Sequence, residues 1–151
     1  MPPGAIVDPF NKERYLGTWH EVARLPNLIK KDLRDLTEEY SRNDDGAIPV
    51  GTRAFNPVKN KAVEANGTIK LKGPETRGLL EEAYYLPIYL DYNVLDIDED
   101  YRYALVSGSS MGYLWLLSRD VLPDEAFLRL FWRNRLRISG CQTNARRLNR
   151  L

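Results

Sequence analysis

Eight short runs rich in β-branched and aromatic side chains follow one another along the chain: residues 17–25, 36–42, 47–55, 62–71, 77–85, 92–97, 102–107 and 113–118. Each is closed by residues that supply turn geometry, among them Asn43 to Gly46, Asn56-Pro57, Gly73-Pro74, Pro87, Asp98 to Asp100, Gly108 and Gly112. After the eighth run the period lengthens. Pro123 can open a helix with Asp124 and Glu125 in its first turn, and Phe127, Leu130 and Phe131 follow at helical spacing, which predicts a helix over 123–136. Eight strands joined by hairpin-length links predict an all-β fold, an eight-stranded antiparallel up-and-down β-barrel with one C-terminal α-helix packed on it. Closure removes exposed strand edges, and eight strands leave room for one small ligand. The expected organisation is a barrel plus helix over 1–138 and a basic, poorly ordered tail over 139–151.

Composition narrows the class. With 43% apolar residues over 151 positions the chain can bury the core of one domain, and its net charge of +1 is far from that of a dedicated nucleic-acid binder. No nucleic-acid partner is expected from bulk charge. The last 26 residues nevertheless hold seven arginines and no acid, a stretch that could contact phosphates but reads more simply as a solvated helix face and a frayed tail. Cys141 is the one cysteine, so no intrachain disulfide can form. The first eight residues lack the basic and apolar regions of an export signal, which reads as a mature chain. The uncharged stretch 103–118 is broken by Gly108 and Gly112 and falls short of the ~20 residues of a membrane span.

Candidate chemistry is thin. Gly108-Ser-Ser-Met-Gly112 matches a hydrolase nucleophile pattern, but that pattern needs a histidine later in the chain, and His20 lies far upstream. A hairpin turn is the better reading of Ser110. Asp96, Asp98 and Asp100 have calcium-loop spacing, yet Tyr101 stands where glycine is needed and Ser107 where glutamate is needed, so they read as turn carboxylates. Asn66-Gly-Thr68 is a glycosylation triplet inside a predicted strand and carries no weight. No metal site and no cofactor are expected. The aromatic residues say more: Tyr113, Trp115, Leu117 and Arg119 share one face of the eighth run, which suits either a ligand-lined barrel or an ordinary packed core.

Two motifs carry a family likeness. Tyr15 to Arg24 (YLGTWHEVAR) resembles the G-x-W motif that opens the first strand of lipocalins, and Tyr113 to Arg119 (YLWLLSR) resembles their third motif ending in arginine. Residues 95–106, 73–77 and 92–94 are similar to the branch that holds bacterial outer-membrane lipocalins, plant temperature-induced lipocalins and apolipoprotein D. The likeness covers about residues 2 to 138. It implies a barrel that binds fatty acid, lysophospholipid or a similar lipid without catalysis, with Gly17, Trp19 and Arg119 as the structural motif and Arg119 packed across Trp19 at the closed end. A monomer or dimer in the periplasm or on a membrane is the implied setting. His20 replaces a usual tyrosine, Asp98-Glu-Asp100 departs from a common Thr-Asp-Tyr form, and residues 140–151 do not look like the family's closing strand.

Period 2 and the resemblance together nominate Tyr40, Val50, Thr52, Tyr92, Val94, Leu105, Trp115 and Leu117 as ligand-binding residues. The uncharged run Tyr84, Tyr85, Leu86, Pro87, Ile88, Tyr89 and Leu90 is expected at the barrel mouth as an aromatic loop suited to a membrane surface. Two rival classes remain: a lipocalin-type isomerase or epoxidase using Glu21 as a buried acid, and contact with headgroups or nucleic acid through the arginine-rich tail.

Overall fold

The computed structural model describes residues 6–24, 33–42, 46–73, 77–85, 88–109 and 113–121, with residues 124, 126 and 129 besides; the side chains of Tyr85 and Ile88 lie outside that description. The expected mouth residues Leu86 and Pro87, Ser110, the 139–151 tail and the rest of the expected 123–136 helix also lie outside it.

Eight strands form: β1 (Gly17–Arg24), β2 (Arg34–Tyr40), β3 (Ile48–Asn56), β4 (Lys61–Leu71), β5 (Leu79–Tyr85), β6 (Ile88–Ile97), β7 (Tyr103–Ser107) and β8 (Leu114–Ser118). Each pairs antiparallel with the next, and β1 pairs with β8, so the barrel closes in simple sequence order. One short helix precedes them, α1 (Lys12–Tyr15), capped by Asn11, whose side-chain oxygen accepts from the Arg14 amide at 3.2 Å.

Side-chain direction follows from register, since directly paired residues face the same way. Trp19 opposes Glu38, Glu38 opposes Thr52, and Tyr40 opposes Val50. Val94 opposes Val106, Val106 opposes Trp115, and Ala104 opposes Leu117. These rows meet as one interior cluster that also takes in Tyr15, Ile69, Leu80 and Tyr92. The ends of β2, β4 and β6 and the starts of β3, β5 and β7 lie at the end where α1 lies; the ends of β1, β3, β5 and β7 and the starts of β2, β4, β6 and β8 lie at the other, which is the mouth.

The α1 end is shut by Arg119. Its guanidinium lies 3.8 Å over the Trp19 ring and donates to the carbonyls of Tyr101, Thr18 and Arg14 at 3.1, 3.0 and 2.8 Å. Gly17 sits at φ +105°, and a Cβ there would come within 3.2 Å of the Arg119 Nη1. The implied stacking of Arg119 on Trp19 is therefore present. In the β6–β7 turn, Asp98 Oδ1 accepts from the Arg102 and Tyr103 amides at 2.7 Å each, as turn carboxylates do.

Candidate functional site

The interior is built from two layers. The lower layer is a hydroxyl chain: Tyr40 donates to Glu38 Oε2 at 2.5 Å, the Tyr40 and Tyr92 oxygens lie 2.8 Å apart, and the Tyr92 and Tyr15 oxygens 2.5 Å apart. Because the Tyr40 proton is committed to Glu38, Tyr92 donates to Tyr40 and Tyr15 donates to Tyr92. The rings touch as well: Tyr15 packs on Trp19, Tyr40 and Tyr92, and Tyr92 meets Trp115 edge-on at 5.9 Å. Burial, reinforced by Glu38, pushes the Tyr40 hydroxyl well above its ordinary 10.0; burial does the same for Tyr92 and Tyr15. This layer is a floor.

The upper layer faces the mouth. Tyr84 bonds Thr52 Oγ1 at 2.6 Å across β4, and Gly67 makes that crossing possible. A Cβ on Gly67 would stand 2.5 Å from the Ala83 carbonyl oxygen and 2.9 Å from the Tyr84 ring. Burial raises the Tyr84 hydroxyl above its ordinary value, with Glu82 adding to the shift. On the opposite wall, Trp115 stands across from Arg24.

Arg24 enters the interior through a β-bulge. On a regular strand residues 21 and 24 would point to opposite faces, but the register shifts between Glu21 and Ala23, so Glu21 opposes Leu117 and Arg24 opposes Trp115. Both then face inward, Arg24 Nη1 reaches Glu21 Oε1 at 3.1 Å with both side chains almost wholly buried, and Arg24 Nη2 donates to the Leu33 carbonyl. The sequence named Glu21 as an isolated buried acid. In the structure it has a cation beside it, a pairing invisible to a period of two.

Seven of the eight nominated lining residues come together inside: Tyr40, Val50, Thr52, Tyr92, Val94, Trp115 and Leu117. Leu105 does not. It alternates with the inward Ala104 and Val106, opposes Leu116, and is buried on the outer face. Both faces of β7 are buried, so its sequence carries no polar alternation to set the phase.

The expected mouth loop is corrected too. Tyr84 and Tyr85 end β5, and Ile88, Tyr89 and Leu90 begin β6, with Leu90 paired to Glu82. Tyr84 belongs to the interior wall. Tyr89 lies under the Lys70 ammonium, 4.3 Å from its ring centre. His20 bonds Thr37 across β1 and β2, opposite Ser118, on the face turned away from Trp19.

Two surface depressions among the described residues lie outside the barrel. One, about 620 Å³, runs over β2, β3 and β4 past Thr37, Gly51 and Glu64; the other, about 760 Å³, lies beside α1 against Phe10 and Tyr101.

A closed barrel with an aromatic, partly polar interior and one shut end defines a small-ligand-binding barrel. The Lipocalin-like domain family matches residues 10–145, and the chain belongs to the lipocalin family. It is 39% identical over 121 residues to outer membrane lipoprotein Blc of Escherichia coli, covering 80% of this chain and 68% of that protein. It is 34% identical over 128 residues to temperature-induced lipocalin-1 of Arabidopsis thaliana, with the same two coverages. Among solved structures, insecticyanin from the tobacco hornworm superposes with a TM-score of 0.75 at 19% identity, covering 97% of this chain and 82% of that one.

Proposed function

We propose that the chain stores or transports a lipid, a fatty acid or lysophospholipid whose acyl chain lies in the mouth half of the barrel above the tyrosine floor. The observation that carries the reading is the convergence of Thr52, Tyr84 and Trp115 on the interior wall above the Tyr40–Tyr92 hydroxyl pair. Ring faces and aliphatic wall desolvate an acyl chain, while the polar end stays toward the open rim. Binding without catalysis is the simpler account, because the buried acid Glu21 is held in an ion pair with Arg24. The nearest rival is an isomerase or epoxidase using Glu21. The name of the Escherichia coli relative describes an outer membrane lipoprotein, and that likeness supports the cell envelope as the setting of the proposed function.

The test is a chain-length series. Delipidated protein titrated with fatty acids or lysophospholipids should change tryptophan fluorescence saturably, with a submicromolar to micromolar midpoint, and Trp115→Phe should remove most of the signal. Each added methylene should tighten binding by up to ~0.8 kcal/mol until the mouth half is full. A flat series would refute lipid binding in the barrel.

A further inference from the structure

The mouth end is the apolar end of this molecule. Among the described residues, the large hydrophobic side chains left exposed are Phe55, Val58, Tyr89, Leu90, Tyr113 and Val121, and all but Val121 lie on the mouth links or on the strand ends that feed them. The most exposed of these is Val58, at 74% of its full surface. It sits at the tip of the β3–β4 hairpin, and three features of that tip go together.

The tip is preformed. Asn56 Oδ1 accepts from the amides of Val58 and Lys59 at 3.0 and 3.1 Å, Asn60 takes the left-handed φ of +49°, and Asn56 pairs with Lys61 to close the ladder. An apolar side chain is thus held outward with little conformational entropy left to lose on docking.

The tip overhangs. β4 pairs with the whole of β3 from Lys61 to Ile69, but its register with β5 runs only from Leu71 to Thr68. Lys61 to Gly67 therefore lie beyond the last β4–β5 pair, and at Lys61 and Ala62 both faces of the strand are exposed.

The tip is also basic. Lys59 and Lys61 follow Val58 on the chain, and exposed Arg34 stands opposite Phe55 on the neighbouring strand. From residue 54 to residue 63 the sequence holds those two lysines and no acid; Asp35 is the acid beside Arg34. By contrast the α1 end is mixed, with exposed Asp8, Glu13, Glu99 and Asp100 standing among exposed Arg14, Arg42, Lys72 and Arg102.

We infer that the β3–β4 hairpin docks the barrel mouth onto an anionic lipid surface, with Val58 and Phe55 entering the interface and Lys59, Lys61 and Arg34 contacting acidic headgroups. The inference rests on the lipid-binding reading and deepens it: the same face that admits the ligand meets the membrane. It also shifts the docking element away from the Tyr84 to Leu90 run, where Tyr84 is turned inward and Tyr89 is stacked under Lys70. An apolar apex with basic side chains beside it fits a surface that is apolar inside and negative outside, since a basic side chain near such a surface is favoured by about fivefold in partition.

The experiment is flotation of the full chain with vesicles of phosphatidylcholine alone and of phosphatidylcholine with phosphatidylglycerol. Wild type should float with the mixed vesicles and lose that association as salt rises. Lys59→Gln with Lys61→Gln should lower partition roughly 30-fold, and Val58→Ser roughly tenfold. None of these three side chains faces the interior, so all variants should bind dispersed lysophosphatidylcholine as wild type does. Equal flotation with neutral and mixed vesicles, or variants that float like wild type, would overturn the docking surface. Loss of lysolipid binding by wild type with flotation intact would instead refute the function and leave the docking surface standing.

Discussion

Arg119 ties three separate pieces of chain to one aromatic ring, and a double-mutant cycle with Trp19 measures that tie. Its guanidinium donates to the carbonyls of Arg14 after α1, Thr18 in β1 and Tyr101 in the β6–β7 turn while lying 3.8 Å over the indole. Trp19 is fully buried, and its Nε1 donates to the Tyr15 carbonyl at 2.8 Å. Truncating it to alanine should cost ~3 to 5 kcal/mol. Arg119→Ala removes three charge-assisted hydrogen bonds, but the guanidinium is partly exposed and water replaces some of them, so the loss should be about 2 to 3 kcal/mol. The double variant should be less destabilised than the sum by about 0.5 to 2 kcal/mol, the worth of a partly desolvated cation–π contact. Arg119→Lys should recover less than half the loss, because one ammonium cannot span three carbonyls and does not stack flat. Urea unfolding at constant m-value reads all four corners of the cycle. Additivity within about 0.3 kcal/mol would show that the stacked geometry contributes nothing.

Further predictions concern the interior polar groups. Tyr40→Phe, which strips the donor from Glu38 and the acceptor from Tyr92, should cost about 1.5 to 3 kcal/mol, and Tyr15→Phe, at the end of the chain, about 1 kcal/mol or less; the reverse order in urea unfolding would mean the hydroxyl chain is not cooperative. The raised hydroxyls of Tyr15, Tyr40, Tyr84 and Tyr92 favour the neutral form in the folded state, so their contribution is complete below pH 10 and is lost as pH rises through the folded values. Tyrosinate absorbance should accordingly rise in two phases, the second coincident with loss of near-ultraviolet circular dichroism. Arg24→Met alone should cost ~3 to 5 kcal/mol by stranding a buried carboxylate, whereas Glu21→Met with Arg24→Met should recover most of that; a double variant as unstable as the single one would show that the pair does more than satisfy itself.

Much of the barrel is legible in the chain because turn residues punctuate it. Asn56, Asp98 and the prolines mark strand ends, and eight runs with hairpin-length links leave closure as the economical way to cover every edge. What escapes has a physical cause in each case. α1 is a single turn, too short to show a helical period. The first three residues of β6 vanish into an uncharged run in which Pro87 suggests a longer break. Leu105 is misassigned because β7 is apolar on both faces. Glu38 is hidden because polar residues are ordinarily outward, and Arg24 because a bulge suspends the strand alternation.

Two of these misses, Glu38 and Arg24, lie in the barrel interior, and polar groups there change what the interior asks of a ligand. An apolar sleeve would reward each methylene down to Trp19. Here the descent stops at Tyr92 and Tyr40, whose hydroxyls already satisfy one another and Glu38, so a methyl end pushed past them would strand hydrogen bonds worth more than the ~0.8 kcal/mol it gains. From Tyr92 to the start of β6 at Ile88 is four residues, roughly 10 Å of barrel height at ~3.4 Å per residue and ~40° tilt. If the proposed acyl ligand is long, it would overfill the mouth half and leave its remaining methylenes at the rim, beside Leu90 and Phe55. The gain per methylene should then flatten at a chain length set by the tyrosine floor rather than by the full depth of the barrel. Tyr40→Phe with Tyr92→Phe, by removing the hydroxyls that resist entry, should move that plateau toward longer chains.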